Sequence, residues 1–429
     1  MTVKKALAVL LILLLCTACA NQKLPASEEQ MEKPKETFAY IENEDVNNCF
    51  PRLAAEELVQ NGQYLFGTGV FGQNLVLQYY DLSCKTAEVA CSKPDCAHDN
   101  EECNAYFFRD TGSLSFYHDH LYWLGHEGQG LEKRDTLAIR RMDPFAGTRE
   151  SVRSVDWNMT MIKYSPQRMR VHRGTAYLEC KKQTIVEGAP TPMHKLSLLA
   201  MPLSEKGETK VLFERDYECW TSMQVRYCGN YIYLFCTLWT SEPAVTWYEI
   251  YRVDIRSGEC EEVIAKLSPE PDCYINDFWV DNDYRLMAAG QYRLDYTKSF
   301  VWQIKDGALK ELFSFEAMSN SLPYLFDQIA VIVGYDDGTG ERPCCIRDFD
   351  GNVLFDGKLT LPTQIPNLYL PKCKIRSIDI MGGDRGRLFV SYGVSDNMNV
   401  NAAVTVLYDI GNNMNYSIIW TENRDGTVS

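Results

Sequence analysis

The residues best suited to chemistry lie in one short stretch, "CSKPDCAHDNEEC", at positions 91–103. Its three thiols and one imidazole follow the spacing C-x4-C-x-H-x4-C and come from Cys91, Cys96, His98 and Cys103. Structural zinc sites use four ligands of these types on short loops. The spacing differs from the common C-x2-C knuckle, and the Cys-x-His pair is unusually tight. A structural zinc ion is therefore one hypothesis for this stretch.

Disulfide bonding is the competing hypothesis. Cys84 lies one predicted strand upstream, and four cysteines, at positions 84, 91, 96 and 103, allow three pairings. Exported proteins favour disulfides, and closing a loop of roughly ten residues contributes about 2–3 kcal/mol. Free thiols are the third alternative. Pro94 and the polar run after it predict a loop between "EVA" and "AYFF", with a structural role in every case.

A second histidine group lies in "HDHLYWLGH" and contains His118, His120 and His126. Adjacent histidines on one face can ligate a metal, but this pattern is typical of a turn that leads into a strand. The sequence has no Gly-x-Ser-x-Gly elbow, no His-Glu-x-x-His and no phosphate loop. No catalytic pair can be singled out among 58 Asp and Glu residues. We therefore assign no catalytic residue.

Four aromatic residues near predicted turns are candidates for ligand binding: Trp220, Trp239, Trp247 and Tyr248. Their rings could stack on sugars at the open end of a fold. Aromatic residues make up 12% of the chain, however, and most of them must pack in the core. Packing in the core or at its rim is therefore the alternative for each of the four.

The N-terminus, "MTVKKALAVLLILLLCTACANQ", has two lysines before an apolar run at residues 6–18. A helix of this length spans only about 20 Å, which is too short for a bilayer and typical of a secretory signal. Small residues precede Cys19, in a pattern that resembles a bacterial lipobox with Cys16 where leucine is usual. We predict a signal peptide over residues 1–18 and lipidation of Cys19.

Residues 19–36 are polar, charged and proline-containing, which predicts a flexible linker before a folded domain over residues 37–429. We therefore expect a protein anchored by lipid to the extracytoplasmic face of the cell membrane. The formal net charge of −15 argues against nucleic acid or an anionic lipid surface as a partner.

A repeat organises the chain. A turn followed by a short aromatic or β-branched strand starts at Asn61, His118, Arg173, Gly229, Asn282, Phe326 and Arg385. Later in several repeats, a predicted hairpin turn joins two further strands, as at Ser257-Gly258, Asp306-Gly307 and Asp350-Gly351. Repeats of roughly 50 residues with period-two strands are typical of β-propellers.

We therefore predict an all-β fold, a β-propeller of seven blades, with six or eight blades and a two-sheet sandwich array as alternatives. Only residues 52–60 suggest a short helix. Residues 37–43 could supply the fourth strand of the last blade and close the ring. Cysteines inside apolar runs, such as Cys180 and Cys236, are expected to be small buried hydrophobes.

The strand rhythm resembles that of uncharacterised propeller lipoproteins from Gram-positive, Clostridia-type gut bacteria, loosely akin to TolB-like and Kelch-like propellers. A more specific shared element comprises Cys91, Lys93, Pro94, Cys96, His98 and Cys103. The resemblance implies that this element lies in the first blade, between the second and third strands. It implies a fold and a location, and no activity.

The expected function is that of a lipid-anchored binding module for a ligand, a glycan or an envelope protein. An envelope enzyme acting on glycans or peptides is the main alternative, and an envelope-assembly scaffold is another. A structural zinc ion is the only cofactor that the sequence suggests.

Overall fold

The computed structural model describes residues 37–50, 59–71, 74–100, 102–107, 113–126, 137–145, 147, 149–156, 158–185, 191–204, 206–241, 243–269, 273–292, 295–316, 322–334, 341–360, 374–395 and 402–423. The predicted signal peptide and linker, with Cys19, lie outside these residues. So does most of the helix predicted over residues 52–60, of which the last two residues belong to a strand. A π-helix, Asn158–Tyr164, is the one helix among the described residues. None of the described helical structure is long and apolar enough to cross a membrane.

Seven antiparallel sheets follow one another along the chain, each with its strands paired in sequence order. Blade one has β1 (Val59–Asn61), β2 (Tyr64–Phe71), β3 (Asn74–Asp81) and β4 (Thr86–Val89), with β5 (Tyr106–Phe107) also paired to β3. Blade two has β6 (Ser115–Tyr117), β7 (His120–His126), β8 (Leu137–Met142) and β9 (Arg149–Val155). Blade three has β10 (Pro166–His172), β11 (Thr175–Thr184), β12 (Met193–Pro202) and β13 (Lys210–Tyr217).

Blade four has β14 (Trp220–Cys228), β15 (Tyr231–Ser241), β16 (Ala244–Asp254) and β17 (Cys260–Leu267). Blade five has β18 (Cys273–Val280), β19 (Leu286–Tyr292), β20 (Asp295–Lys305) and β21 (Ala308–Glu316). Blade six has β22 (Tyr324–Phe326), β23 (Ile329–Val333), β24 (Glu341–Asp348) and β25 (Val353–Thr360). Blade seven has β26 (Lys374–Gly383), β27 (Arg387–Ser395), β28 (Ala402–Asp409) and β29 (Asn415–Asn423). The predicted seven-bladed β-propeller is confirmed.

The second strand of blade four shows why these sequences form blades. Leu234, Phe235 and Cys236 are consecutive and fully buried, so both faces of the strand lie in the core. Leu234 and Cys236 belong to the core shared with blade three, and Phe235 to the core shared with blade five. A continuous apolar run is therefore required where a sheet is covered on both sides. The outermost strand, β17, is mostly exposed.

Seven hydrophobic clusters separate the seven blades, one between each pair of neighbours. The predicted burial of Cys180 and Cys236 is confirmed, since both lie in these clusters. The cluster that closes the ring joins Tyr80 of blade one to Trp420 of blade seven, with Cys49 and Phe50 between them.

The expected route of ring closure was wrong. Blade seven takes all four strands from the C-terminal part of the chain, because β26 supplies its first strand and β29 its fourth. Residues 37–43 form no strand. Instead, residues 38–50, which we call the crossing segment, run over the face of the ring that carries the turns between the first and second strands of each blade. We call this the turn face; its turns are residues 62–63, 118–119, 173–174, 229–230, 282–285, 327–328 and 384–386.

Candidate functional site: a cysteine cluster and a polar pocket

The predicted loop between "EVA" and "AYFF" is confirmed, and we call residues 91–104 the cysteine loop. Both of its ends are fixed to one residue of β3: Ala90 N–H donates to Leu77 O at 3.0 Å, and Leu77 N–H donates to Ala105 O at 2.7 Å. The loop therefore interrupts the outer edge of blade one between β4 and β5. Its expected position between the second and third strands was wrong, because the loop follows β4 and precedes β5.

Local turn chemistry folds the loop back on itself. Asp95 and His98 have positive φ values of 59° and 55°, a region that Asp and His tolerate better than most residues. Pro94 directly precedes Asp95, and its ring fixes its own φ, as is usual in a tight turn. Asn100 then accepts hydrogen bonds from the backbone of Cys103 and, through its side chain, from that of Glu102.

This folding brings the four predicted ligands together. One ligand atom from each of Cys91, Cys96, His98 and Cys103 lies within 4.8 Å of all the others. His98 Nδ1 is 3.2 Å from Cys103 Sγ. Cys103 is buried, and the other three are half-buried. Cys84 lies apart from this group, exposed and beside Thr86 Oγ1 at 2.9 Å.

Backbone amides affect two of the thiols. The backbone amides of Lys93 and Asn104 favour ionisation of Cys91, and that of Ala105 favours ionisation of Cys103. Burial opposes ionisation of Cys91, but these amide donors and the neighbouring thiols lower its pKa. For Cys103, burial prevails and raises the pKa to about 12. The cluster can therefore stabilise a thiolate at Cys91 more readily than at Cys103.

The cysteine loop also contacts blade two. Arg149 on β9 donates to the carbonyl oxygens of Cys103 at 3.2 Å, of Asn104 at 2.6 Å and of Tyr106. Cys103 packs in the hydrophobic cluster between blades one and two, beside Trp123 of blade two. The conformation of the loop thus bears directly on how these two blades pack.

The crossing segment has a different kind of support, because its hydrogen bonds go to several blades. Phe38 N–H donates to Asn282 O of blade five at 2.7 Å, and Asn48 Nδ2 donates to Tyr227 O of blade four at 2.9 Å. Gly383 N–H of blade seven donates to Cys49 O at 3.0 Å. The preceding residue, Gly382, must be glycine, because a side chain there would collide with the backbone oxygen of Cys49.

A buried ionic group fastens the middle of the crossing segment. The Asp45 carboxylate is fully buried and accepts hydrogen bonds from Arg173 Nε at 2.6 Å and from Ile41 N–H at 2.8 Å. Arg173 also donates from its backbone to Glu44 O at 2.8 Å. A buried carboxylate is stable only with such charged and hydrogen-bonding partners.

His172 completes this group in its neutral form. Its Nδ1 accepts a hydrogen bond from Val46 N–H at 3.1 Å, so the ring proton lies on Nε2 and is donated to Gly229 O at 2.7 Å. Burial lowers the pKa of His172 to about 4, although the carboxylates of Asp45 and Glu44 oppose this effect. Protonation of Nδ1 would remove its acceptor and break the bond to the crossing segment.

A pocket of about 360 Å³ opens between the crossing segment and the turn face. Its polar lining consists of four carboxylates, seven amides and two guanidinium groups, from Glu42, Asp45, Asp327, Asp384, Asn43, Asn47, Asn48, Gln60, Asn61, Asn282, Gln328, Arg170 and Arg387. Tyr40, about half exposed, is among its aromatic residues. The pocket is therefore rich in hydrogen-bonding groups and has an excess of acidic ones.

The charges in the pocket are unevenly compensated. Asp384 Oδ2 accepts hydrogen bonds from the Arg387 guanidinium, at 3.0 Å from Nε. Among the described residues, Asp327 has no cationic partner within ion-pair distance. Burial and the charge of Asp384 raise the pKa of Asp327, against a hydrogen bond from Gln328. The Cys49 thiol lies 3.8 Å from Asp384 Oδ2, and burial together with these carboxylates raises its pKa well above the usual range. Cys49 is therefore unsuited to act as a nucleophile.

The four predicted ligand-binding aromatics lie outside this pocket. Trp220 and Trp239 stack with ring centroids 6.4 Å apart at the opposite face of the ring, where Trp220 is 36% exposed. Trp247 donates to Glu249 Oε1 at 3.3 Å. Tyr248 is fully buried between blades four and five, with its hydroxyl near the backbone of Ile275, and so belongs to the core.

The predicted turn in the histidine group is confirmed at residues 118–119. His118 Nε2 lies 2.8 Å from Glu44 Oε1 of the crossing segment, and His120 Nδ1 lies 2.8 Å from the backbone oxygen of His118. The structure thus uses His118 to hold the crossing segment.

No protein-family model matches the sequence, and no curated protein matches it. Its fold is similar to those of known propellers. The β-propeller domain of the trilobed protease of Pyrococcus furiosus is 10% identical, with 87% of this chain and 98% of that chain covered and a TM-score of 0.46. Polysaccharide lyase Uly1 is 12% identical, with 90% of this chain and 95% of that chain covered and a TM-score of 0.43. TolB from Acinetobacter baumannii is 14% identical, with 68% of this chain and 62% of that chain covered and a TM-score of 0.35. This chain thus spans less than two thirds of the length of TolB.

No sequence motif indicates the pocket directly, although the predicted turns include those that line it. Asn61, Asn282 and Arg385 begin three of the predicted repeats and lie in or beside pocket-lining turns. The signal that could have located the pocket is the recurrence of polar residues at the same point of each repeat, since equivalent turns of a ring share one face.

Proposed function

We propose that this chain is a lipid-anchored, extracytoplasmic binding module, and that its ligand enters the pocket on the turn face. The observation that carries the proposal is the pocket itself, about 360 Å³ in volume and lined by carboxylates and amides from several blades and the crossing segment. Concave sites with convergent polar groups are the usual form of small-molecule sites. The signal pattern before Cys19 supports the anchored location.

The chemistry of the lining favours a hydroxylated ligand that carries an amine. Amide side chains donate to and accept from hydroxyl groups. Asp327 lacks a cationic partner among the described residues, and the nearby charge of Asp384 disfavours its ionisation. A bound ammonium group would relieve this repulsion and hold Asp327 in its charged form. An amino sugar is the simplest probe with these properties.

Calorimetric titration of the chain with glucosamine, and with glucose as the uncharged comparison, tests the proposal. We expect glucosamine to bind more tightly, and Asp327→Asn to weaken its binding by about tenfold, roughly the effect of one partly screened charge pair. Asp306→Asn is the matched control, because Asp306 lies in an exposed turn away from the pocket. Equal binding of glucosamine by both variants would contradict the assignment.

The alternative, an enzyme acting on glycans, is favoured by one observation. Asp327 has a raised pKa and lies near Asp384, which Arg387 holds in place, and two carboxyl groups in such different environments can divide acid and base roles. Hydrolysis of a chromogenic glycan by the chain, abolished in Asp327→Asn, would support this function. Binding of such glycans without their hydrolysis would support the binding module instead.

A further inference from the structure

We propose that Cys91, Cys96, His98 and Cys103 bind one Zn²⁺ ion as a structural site. This inference is independent of the pocket on the turn face. Three thiols and an imidazole are the ligand types of structural zinc sites, and the cysteine loop is a short loop of the kind that carries them. Zinc binding would release the three thiol protons, since the metal takes sulfur as thiolate.

The geometry is close to that of a bound site. With Zn–S near 2.3 Å and Zn–N near 2.0 Å, the edges of a tetrahedron are about 3.5–3.8 Å long. The four ligand atoms lie within 4.8 Å of one another, and His98 Nδ1 is 3.2 Å from Cys103 Sγ. Side-chain shifts of about an ångström therefore suffice to complete the tetrahedron.

Disulfide bonding accounts less well for this arrangement. The cluster contains three cysteines, so any internal pair leaves one thiol over and gives no role to His98. Cys84, which could supply a fourth sulfur, is exposed and lies outside the cluster. No disulfide bond joins two cysteines within the described part of the chain.

The surroundings of the cluster suit a metal–thiolate centre. Three thiolates around Zn²⁺ leave one net negative charge, which the nearby Arg149 guanidinium, bound to three loop carbonyls, helps to offset. Four protein ligands fill the coordination sphere, so the role is structural: the metal would fix the cysteine loop against blades one and two.

Elemental analysis of the full chain, purified without added metal or reductant, tests the proposal. We expect one zinc per chain in the unmodified protein and loss of most of it in Cys96→Ser and in His98→Ala. Cys84→Ser is the matched control and should keep its zinc, because Cys84 lies outside the cluster. His98→Cys should also keep zinc, since four thiolates form an equally good site.

Counting thiols after denaturation separates the remaining outcomes. Zinc at one per chain, with Cys91, Cys96 and Cys103 all open to alkylation, would support the site. Absence of zinc together with a disulfide among these cysteines would overturn it. Zinc content that is unchanged in both Cys96→Ser and His98→Ala would overturn it as well. If His98→Cys keeps its zinc, a loss of zinc in His98→Ala reflects a missing ligand rather than misfolding.

Discussion

The crossing segment and the cysteine loop are two irregular stretches of similar length, and they are fixed in opposite ways. The crossing segment bonds to five of the seven blades and has at its centre a buried group of Asp45, His172 and Arg173. The cysteine loop starts and ends on Leu77, and its described residues contact blade one and the neighbouring blade two, through Arg149 and Trp123. Backbone outside a sheet needs polar partners, which are spread over the fold in one case and gathered in one place in the other. We therefore expect changes in the first region to affect the whole ring and changes in the second to remain local.

The largest effect is expected for Asp45→Ala. Removing this carboxylate leaves Arg173 partly buried without its partner and frees the crossing segment, so unfolding free energy should fall by about 3–5 kcal/mol. Urea unfolding measures the change. Asp216→Ala is the control, since Asp216 is exposed and pairs at 3.8 Å with Lys195, which is worth about 0–1 kcal/mol. Similar losses in both variants would show that the buried group of Asp45 gives the crossing segment no special support.

A smaller effect is expected from acid. His172 is neutral in the fold with a pKa of about 4, while in the unfolded chain it titrates near 6.5. The unfolded state therefore binds more protons between these values, so the stability from neutral His172 is complete above pH 6.5 and is lost as pH falls towards 4, by about 3 kcal/mol. Urea unfolding across this range should show the slope. In His172→Gln the slope should flatten; an unchanged slope would assign the effect to other groups.

The smallest of the three effects is expected for Arg149→Ala. Three carbonyls of the cysteine loop and the start of β5 lose a charged donor, which should cost about 2 kcal/mol. Arg141→Ala, on the neighbouring strand, is the control, because Arg141 forms an exposed pair with Glu150. Thermal unfolding compares the two. If Arg141→Ala is as harmful as Arg149→Ala, the guanidinium of Arg149 is not a specific support of the loop.

Local signals account for what the sequence could predict. Turn residues such as those at Ser257-Gly258 and Asp306-Gly307 mark hairpins by their own conformational preferences, so the repeat and the blade number follow from them. The cysteine loop could be predicted for the same reason, because Pro94 and the polar residues after it favour a turn. The way in which blade seven completes its four strands was predicted wrongly. Its first strand, β26, lies before the turn at Arg385 that marks the repeat, so the predicted repeat did not include it. The pocket could not be predicted, since Asp327 and Asp384 meet only when the ring brings their turns to one face.

Hydrogen exchange of the full chain, followed by mass spectrometry before and after treatment with a chelator that would remove the proposed zinc ion, tests the contrast between the two regions most directly. We expect amides in residues 75–107 to exchange faster after chelation, while those of the crossing segment stay protected. Loss of protection in both regions together would contradict it, because the cysteine loop would then support the whole ring. Unchanged exchange in both would contradict the proposal that zinc orders the cysteine loop.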